Sequence, residues 1–213
     1  MTGVRNSGDD ERQRGRGEAY KALTALFYTP DDALGDILNG LHAALERCFP
    51  DLAAYADDLR AEFADPQLTL ASLEVDHARL FLGPDTMRAA PYGSLYLEAE
   101  GGLMGETTMN ALEHYRAVGL KANADLKQPP DFIATELEFM YFLIHCHLES
   151  GAEEFLARQM AFIDQHPGLW IGTFCETVDR EANTDFYRLL AATTQAFVLS
   201  DQEYLGSLRQ SES

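Results

Sequence analysis

The strongest constraint on the fold is a stripe of apolar residues at helical spacing that follows Pro129-Pro130-Asp131. Six apolar residues lie there, most of them three or four positions apart and two of them adjacent: Ile133, Leu137, Met140, Tyr141, Ile144 and Leu148. This spacing places them on one face of a helix. Asp131 suits the N-cap position of that helix. We therefore predict a long helix at the centre of the core.

The same periodicity recurs along most of the chain, between breaks at Gly and Pro. Further helices are predicted from near Glu18, Thr29-Pro30, Pro50, Thr69 and Met104, and then after Gly151, after His166-Pro167 and from Thr184. No sustained alternation of period two and no internal repeat occurs. We predict an all-α fold, a single helical-bundle-like domain of roughly eight to ten helices with a long Gly/Pro-containing central loop.

Composition sets the expected borders of this domain. Residues 1–17 are polar, contain Gly and Arg and show no periodicity, which predicts a disordered tail. The helical domain is expected over 18–200, and 201–213 is expected to be a polar tail. The stretch from 83 to 102 combines Gly and Pro with apolar residues, which is typical of functional loops. A second linker, 121–128, is a candidate sub-boundary and hinge, so a monomer and a helix-exchanged dimer both stay open.

The charge of the chain suits a cationic partner, and it suits equally a GC-rich genome or a salty cytosol. Asp and Glu number 35 against 16 Lys and Arg, giving a formal net charge of −19. Nucleic-acid binding needs the opposite sign, because it depends on neutralising phosphates. No apolar run reaches the roughly 20 residues of a membrane span, so no stable membrane insertion is expected. Three distant cysteines form no disulfide or zinc pattern. We predict a cytoplasmic protein that is not itself exported.

Catalytic patterns are weak throughout the sequence. His145, Cys146 and His147 are adjacent and point about 100° apart on a helix, so they cannot converge on one ion without other ligands. No nucleophile elbow, phosphate-binding loop or dinucleotide-binding turn occurs. Glu136 and Glu138 point in different directions and resemble a solvated rim rather than an acid–base pair. We predict a protein that is not an enzyme, with no metal site and no cofactor.

The central loop and the Pro-Pro-Asp helix start together suggest a binding surface. A groove lined by Leu80, Phe81, Tyr92 and Phe132, with carboxylates around it, would suit an amphipathic peptide that carries arginines. The alternative is that these side chains fill the core beneath a long loop. The residues alone leave both interpretations open.

Several segments resemble a known family. Residues 76–100, DHARLFLGPDTMRAAPYGSLYLEAE, are followed by Leu103 to Thr107, by QPPDF at the central helix start, and by HPGLW and DFYRLL in order. Together they resemble the TorD/DmsD/NarJ family of redox-enzyme maturation chaperones, closest in look to the TorD/DmsD branch. The resemblance implies an all-helical chaperone, linked to anaerobic respiration, whose partner is the signal-bearing catalytic subunit of a molybdenum-cofactor oxidoreductase. It would hold that subunit for cofactor insertion and assembly or twin-arginine export.

The resemblance also implies which residues bind the peptide. Carried over position by position, the expected site residues are His77, Leu80, Phe81, Pro91, Tyr92, Gly105, Gln128, Asp131 and Phe132. Gln128 and Phe132 replace the glutamate and histidine of the family's E-P-x-D-H element. This end of the site is therefore more apolar than in relatives, and the arginines of the bound segment are expected near Asp131.

Three other functions stay open at this point. Within the family, a NarJ-like role would be to bind the N-terminus of a subunit that is not exported. Outside it, the region from His145 to His147 could serve a small helical metal- or nucleotide-dependent hydrolase. A helical adaptor unrelated to redox enzymes would share the same composition.

Overall fold

The computed structural model describes residues 7–83, 86–98, 105–120 and 128–211, so all but the last residue of the expected linker at 121–128 lies outside it. The described residues confirm the all-α prediction. They form ten α-helices: α1 (Ser7–Leu26), α2 (Leu34–Cys48), α3 (Ala53–Phe63), α4 (Leu70–His77), α5 (Ser94–Leu97), α6 (Glu106–Ala117), α7 (Ile133–Ser150), α8 (Glu153–Gln165), α9 (Pro167–Glu181) and α10 (Asp185–Ser211). No described helix is long and apolar enough to cross a membrane.

The start and stop signals in the sequence explain most helix boundaries. Thr69 caps α4, since its hydroxyl accepts a hydrogen bond from the Ser72 backbone N–H while the Ser72 side chain accepts one from the Thr69 N–H. Pro167 opens α9, and Gly151 ends α7 with a left-handed φ of 71°. A single π-helical turn, Ala78–Leu82, extends α4 into the central loop.

The prediction of a disordered tail over 1–17 is wrong for residues 7–17, which form the first half of α1. Gly15 and Gly17 let this helix approach its neighbours closely. A Cβ atom on Gly15 would lie 2.9 Å from the Ala44 carbonyl oxygen on α2, and one on Gly17 would lie 3.3 Å from Ile144 on α7. Glycines that resemble a flexible tail in the sequence are here the contact face of a packed helix.

The polar tail expected over 201–213 is also wrong for residues 201–211, because α10 continues to Ser211. Arg16 and Asp201 explain this extension. The Arg16 guanidinium donates to both carboxylate oxygens of Asp201, and the Tyr20 hydroxyl donates to Asp201 Oδ2 at 2.8 Å. All three side chains are fully buried. A buried carboxylate needs such partners, so this contact holds the chain's first and last helices together.

The core lies between α1, α7 and α10, with α2 and α3 on one side and α8 and α9 on the other. α1 packs between α2 and α7, and α10 packs against α9 and α3. The Asp76 carboxylate accepts hydrogen bonds from the backbone N–H groups of Asn183 and Thr184, at 2.9 and 2.8 Å, which ties α4 to the start of α10. This contact fixes the helix that leads into the central loop.

Candidate functional site

The loop around Tyr92 meets the start of the central helix α7, as the sequence predicted. Tyr92 and Phe132 form an isolated antiparallel bridge. The Gly93 N–H donates to the Asp131 carbonyl oxygen, and the Ile133 N–H donates to the Pro91 carbonyl oxygen, both at 2.9 Å. Two segments about 40 residues apart in the chain are therefore held together through their backbones.

Asp131 does not occupy the place predicted for it. Phe132, not Asp131, is the N-cap residue of α7. The Asp131 side chain is fully buried, and its carboxylate accepts hydrogen bonds from the Ser94 backbone N–H at 2.8 Å and from the Thr108 hydroxyl at 3.0 Å. A carboxylate enclosed in this way cannot face the arginine of a bound peptide. Asp131 instead joins α5 and α6 to the start of α7.

Gln128 lies beside Tyr92 at the edge of this bridge. The Tyr92 hydroxyl donates a hydrogen bond to Gln128 Oε1 at 2.8 Å. Burial, and after it the charge of Asp131, raises the pKa of Tyr92, so the phenol stays a neutral donor. The side-chain amide of Gln128 thus accepts the bond that a glutamate would accept at this position, without adding a charge.

The predicted site residues on α4 and the π-helical turn lie in the core, not in an open groove. His77, Leu80 and Phe81 are all buried. The Phe81 ring contacts Phe27, His77, Phe174 and Tyr187. His77 Nε2 lies 3.2 Å from the Phe27 carbonyl oxygen, and burial lowers the pKa of this imidazole. Of the two interpretations left open by the sequence, core packing beneath the loop describes these three residues.

Tyr28 brings an exposed ring to the site and was not among the residues predicted for it. This residue ends the turn after α1, and its ring centroid lies 5.9 Å from that of Phe132. Its side chain is 46% exposed. Burial, and after it the charge of Glu138, raises the pKa of Tyr28. Only the tertiary fold brings it to Phe132, 104 positions along the chain. We call Tyr28, Tyr92 and Phe132 the aromatic cluster.

Gly105 lies at the start of α6, close to Glu98. The Thr107 backbone N–H donates to Glu98 Oε1 at 2.8 Å, and a Cβ atom on Gly105 would overlap the Glu98 carboxylate. Glycine at this position therefore allows Glu98 to bind the first turn of α6. Pro91, the remaining predicted site residue, is buried beneath the loop.

Glu136 and Glu138 were both predicted to lie on a solvated rim. Glu138 is exposed as expected, but Glu136 is buried. The Glu136 carboxyl is fully buried and accepts a hydrogen bond from Trp170 Nε1 at 2.9 Å. His166 Nδ1 lies 3.2 Å from its other oxygen. Burial raises the pKa of Glu136, while His166 and Trp170 oppose this shift. The four-residue interval to Met140 places Glu136 on the inner face of α7.

The segment that most resembled a metal site is spread over several sides of α7. His145 is exposed, Cys146 is half-buried, and His147 is buried with Nδ1 3.1 Å from the Ala152 carbonyl oxygen. Across the described ranges, no group of three or more His, Cys, Asp or Glu side chains could hold a metal ion.

Comparison with known proteins places these features in a family. The model of a family described as nitrate reductase delta subunit matches residues 29–176. A chaperone protein TorD from Vibrio cholerae serotype O1 (strain M66-2) is 33% identical over 209 residues, 92% of this chain and 94% of that protein. TorD from Shewanella pealeana is 30% identical over 90% of both chains, and TorD from Vibrio atlanticus is 34% identical over 66% of both.

The fold is also shared with a solved structure. A chain from Archaeoglobus fulgidus described as a redox enzyme maturation protein has a TM-score of 0.54 to this one and 22% sequence identity. The match covers 85% of this chain and 93% of that one.

Proposed function

We propose that this chain is a cytoplasmic chaperone for the N-terminal signal region of a molybdopterin-dependent oxidoreductase subunit. The chain belongs to the nitrate reductase delta subunit family, with the TorD chaperones among its relatives. Because its relatives are named chaperones, its role is redox-enzyme maturation and not catalysis. The bound subunit would be held until cofactor insertion and assembly or twin-arginine export. A hydrolase or an unrelated adaptor has no support among these relatives.

The observation that carries the proposal is the aromatic cluster at the junction of loop and helix. Tyr28 is 46% exposed, and its ring centroid lies 5.9 Å from that of Phe132. The ring centroid of Phe132 in turn lies 5.8 Å from that of Tyr92. Exposed aromatic rings on a rigid support are typical centres of peptide binding. The charge of Glu138 beside Tyr28 suits a segment in which apolar and basic residues alternate.

The nine residues implied by the family resemblance divide into two roles in this proposal. Tyr92, Gln128 and Phe132 would contact or directly support the bound peptide. His77, Leu80, Phe81, Pro91, Gly105 and Asp131 would set the shape of the loop and the helix start from within the protein. A substitution in the second group should therefore change stability as well as binding.

Titration calorimetry with the N-terminal peptide of the molybdopterin-dependent subunit encoded in the same genome tests the proposal. We expect Tyr28→Ala to weaken binding about tenfold, the cost of removing a central aromatic residue. Tyr55→Ala is the matched control, because Tyr55 on α3 is another exposed tyrosine, at 37%, away from the cluster. Equal affinities for both variants and the unchanged protein would place the binding site elsewhere.

The description of the matching family favours a second candidate, in which the bound subunit is retained in the cell as part of a nitrate reductase-type enzyme. The same titration separates the two candidates. A peptide with an Arg-Arg signal should bind more tightly than an N-terminal peptide without one if the partner is exported. The reverse order would favour the retained subunit.

A further inference from the structure

A cleft is bordered by α5 and α6. It has a volume of about 450 Å³ and lies between these two helices and the junction of α8 with α9. Its walls are formed by Leu97, Glu98, Glu106, Thr107, Asn110, Asp164, Gln165, His166 and Leu169. We call it the acidic cleft. Nothing in the sequence pattern marked it, because its walls come from four separate helices.

Two exposed leucines line the acidic cleft. Leu97 on α5 is 38% exposed, and Leu169 in the first turn of α9 is 57% exposed. Leucines at this exposure are available for apolar contact with the aliphatic part of a long side chain. They add apolar surface to a cleft whose other lining residues are polar or charged.

Three carboxylates line the cleft, and one of them, that of Asp164, is paired with Arg209. Glu98, Glu106 and Asp164 contribute carboxylates, and its described walls include no Lys or Arg. Glu106 is exposed in the first turn of α6. Asp164 accepts hydrogen bonds from Gln202 Nε2 and Arg209 Nη2, both at 3.0 Å, and Glu98 accepts one from the Thr107 N–H. Glu106 is therefore the carboxylate best placed to meet a cation from outside.

The walls of the cleft are fixed by the same contacts that build the aromatic cluster. Asp131 holds the start of α5 through the Ser94 N–H and holds α6 through the Thr108 hydroxyl. His166 Nε2 lies 2.8 Å from Asn110 Oδ1, which connects α6 to the α8–α9 junction. Tyr92 lies two positions before α5, and Leu97 ends that helix, so one helical turn connects a residue of the aromatic cluster to a residue of the cleft wall.

We propose that the acidic cleft binds the arginine or lysine side chains of the same N-terminal segment whose apolar residues contact the aromatic cluster. This inference rests on the proposed function and identifies the electrostatic half of its site. It moves the arginine contacts from Asp131 to Glu106 and its neighbours. Asp131 is then a positioning residue, which acts on the peptide only through the placement of α5 and α6.

A double-mutant cycle tests the proposal. Titration calorimetry would measure the oxidoreductase's N-terminal peptide, and the same peptide with its arginines replaced by glutamine, against the unchanged protein and Glu106→Gln. We expect each single change to weaken binding about two- to fivefold, as for a solvent-exposed ion pair. The combined changes should weaken it no further than the larger single change, because the same interaction is removed twice.

Glu149→Gln is the matched control for this cycle. It makes the same charge change at an exposed glutamate in the last turn of α7. The whole of α8, about 18 Å from Glu153 to Gln165, lies between that turn and the cleft wall. We expect the affinity of this variant to be unchanged. Circular dichroism would confirm that Glu106→Gln and Glu149→Gln retain the helical content of the unchanged protein.

Three results would overturn the proposal. Independent, additive effects of Glu106→Gln and the peptide change would show that the arginines bind elsewhere, while the proposed function stands. A dimer that Leu169→Ser abolishes, with peptide affinity unchanged, would assign the cleft to a second copy of the chain. Failure of both peptides to bind at all would overturn the proposed function together with the cleft.

Discussion

Replacing Thr108 by valine should loosen the attachment of α6 to the start of α7. The Thr108 hydroxyl donates to Asp131 Oδ1 at 3.0 Å, and both side chains are fully buried. A hydrogen bond to a charged acceptor contributes about 1.5–3 kcal/mol, and its loss leaves one carboxylate oxygen buried without this donor. Because valine is close to threonine in size, we expect the free energy of unfolding to fall by about 2 kcal/mol.

Urea denaturation of Thr108→Val beside Thr107→Val measures this effect. Thr107 is the neighbouring residue on α6 but is only half-buried, so its variant should change the free energy of unfolding by less than about 0.5 kcal/mol. The midpoint should move without a change in slope, which would show that stability alone is affected. Equal free energies for the two variants would refute the assigned role of the Thr108–Asp131 contact.

The salt dependence of peptide affinity gives a second test of the buried position of Asp131. Since its carboxylate faces Ser94 and Thr108, Asp131→Asn should leave the salt dependence of peptide affinity unchanged, whereas Glu106→Gln should reduce it. If Asp131→Asn alone reduced the salt dependence, the carboxylate would be in direct contact with the peptide's arginines. The buried position described above would then be incorrect for the bound state.

Three further predictions concern buried groups. Asp201→Ala removes the carboxylate partner of buried Arg16 and leaves only the neutral acceptors Gln13 and Gln159. The free energy of unfolding should therefore fall by about 3–5 kcal/mol in thermal or urea denaturation. An unchanged midpoint would mean that α1 and α10 do not depend on the contact between Arg16 and Asp201. Burial raises the pKa of Glu136 above its ordinary 4.5, so the ionisation of this carboxyl opposes folding. The stability of the unchanged protein relative to Glu136→Gln should therefore fall as the pH rises from 4.5. A rise in this relative stability with pH would contradict the raised pKa. Burial raises the pKa of Cys48 to about 12 and also raises the pKa of the buried Cys175. A thiol reagent at neutral pH should therefore label half-buried Cys146 first and the other two cysteines only on unfolding. Equal labelling rates for the three cysteines would contradict this order.

The helices could be predicted from the sequence because their signals are local. The stripe from Ile133 to Leu148 and the helix start near Thr69 each depend on residues within a few positions, and both agree with the structure. The meeting of the loop with the start of α7 was also predicted, through the family resemblance. It is formed by the backbone bonds of Gly93 and Ile133.

The two termini could not be predicted, because their partners are distant in sequence. Arg16 and Asp201 are 185 positions apart, and each looks like an ordinary surface charge until α1 and α10 are packed together. Gly15 and Gly17 lower helix propensity, yet the close approach of α2 and α7 requires them. Local propensity was overruled here by tertiary contacts.

The proximity of the loop to the start of α7 was predicted, but the contacts of the individual residues were not. Asp131 follows two prolines at a helix start, where an aspartate usually caps the helix, but Ser94 and Thr108 compete for its carboxylate. Tyr28 and Glu106 were missed for the same reason. Their proposed role in binding depends on exposure beside other elements, which no local pattern reveals.

Affinity capture of the co-expressed partner subunit tests the central claim most directly. The chain would be purified with the molybdopterin-dependent subunit, either complete or lacking its N-terminal signal region. We expect the complete subunit to be captured and the shortened one to be lost, with capture of the complete subunit reduced by Tyr28→Ala but not by Tyr55→Ala. Equal capture of the complete and shortened subunits, or capture of neither, would contradict the claim that this chain binds the signal region.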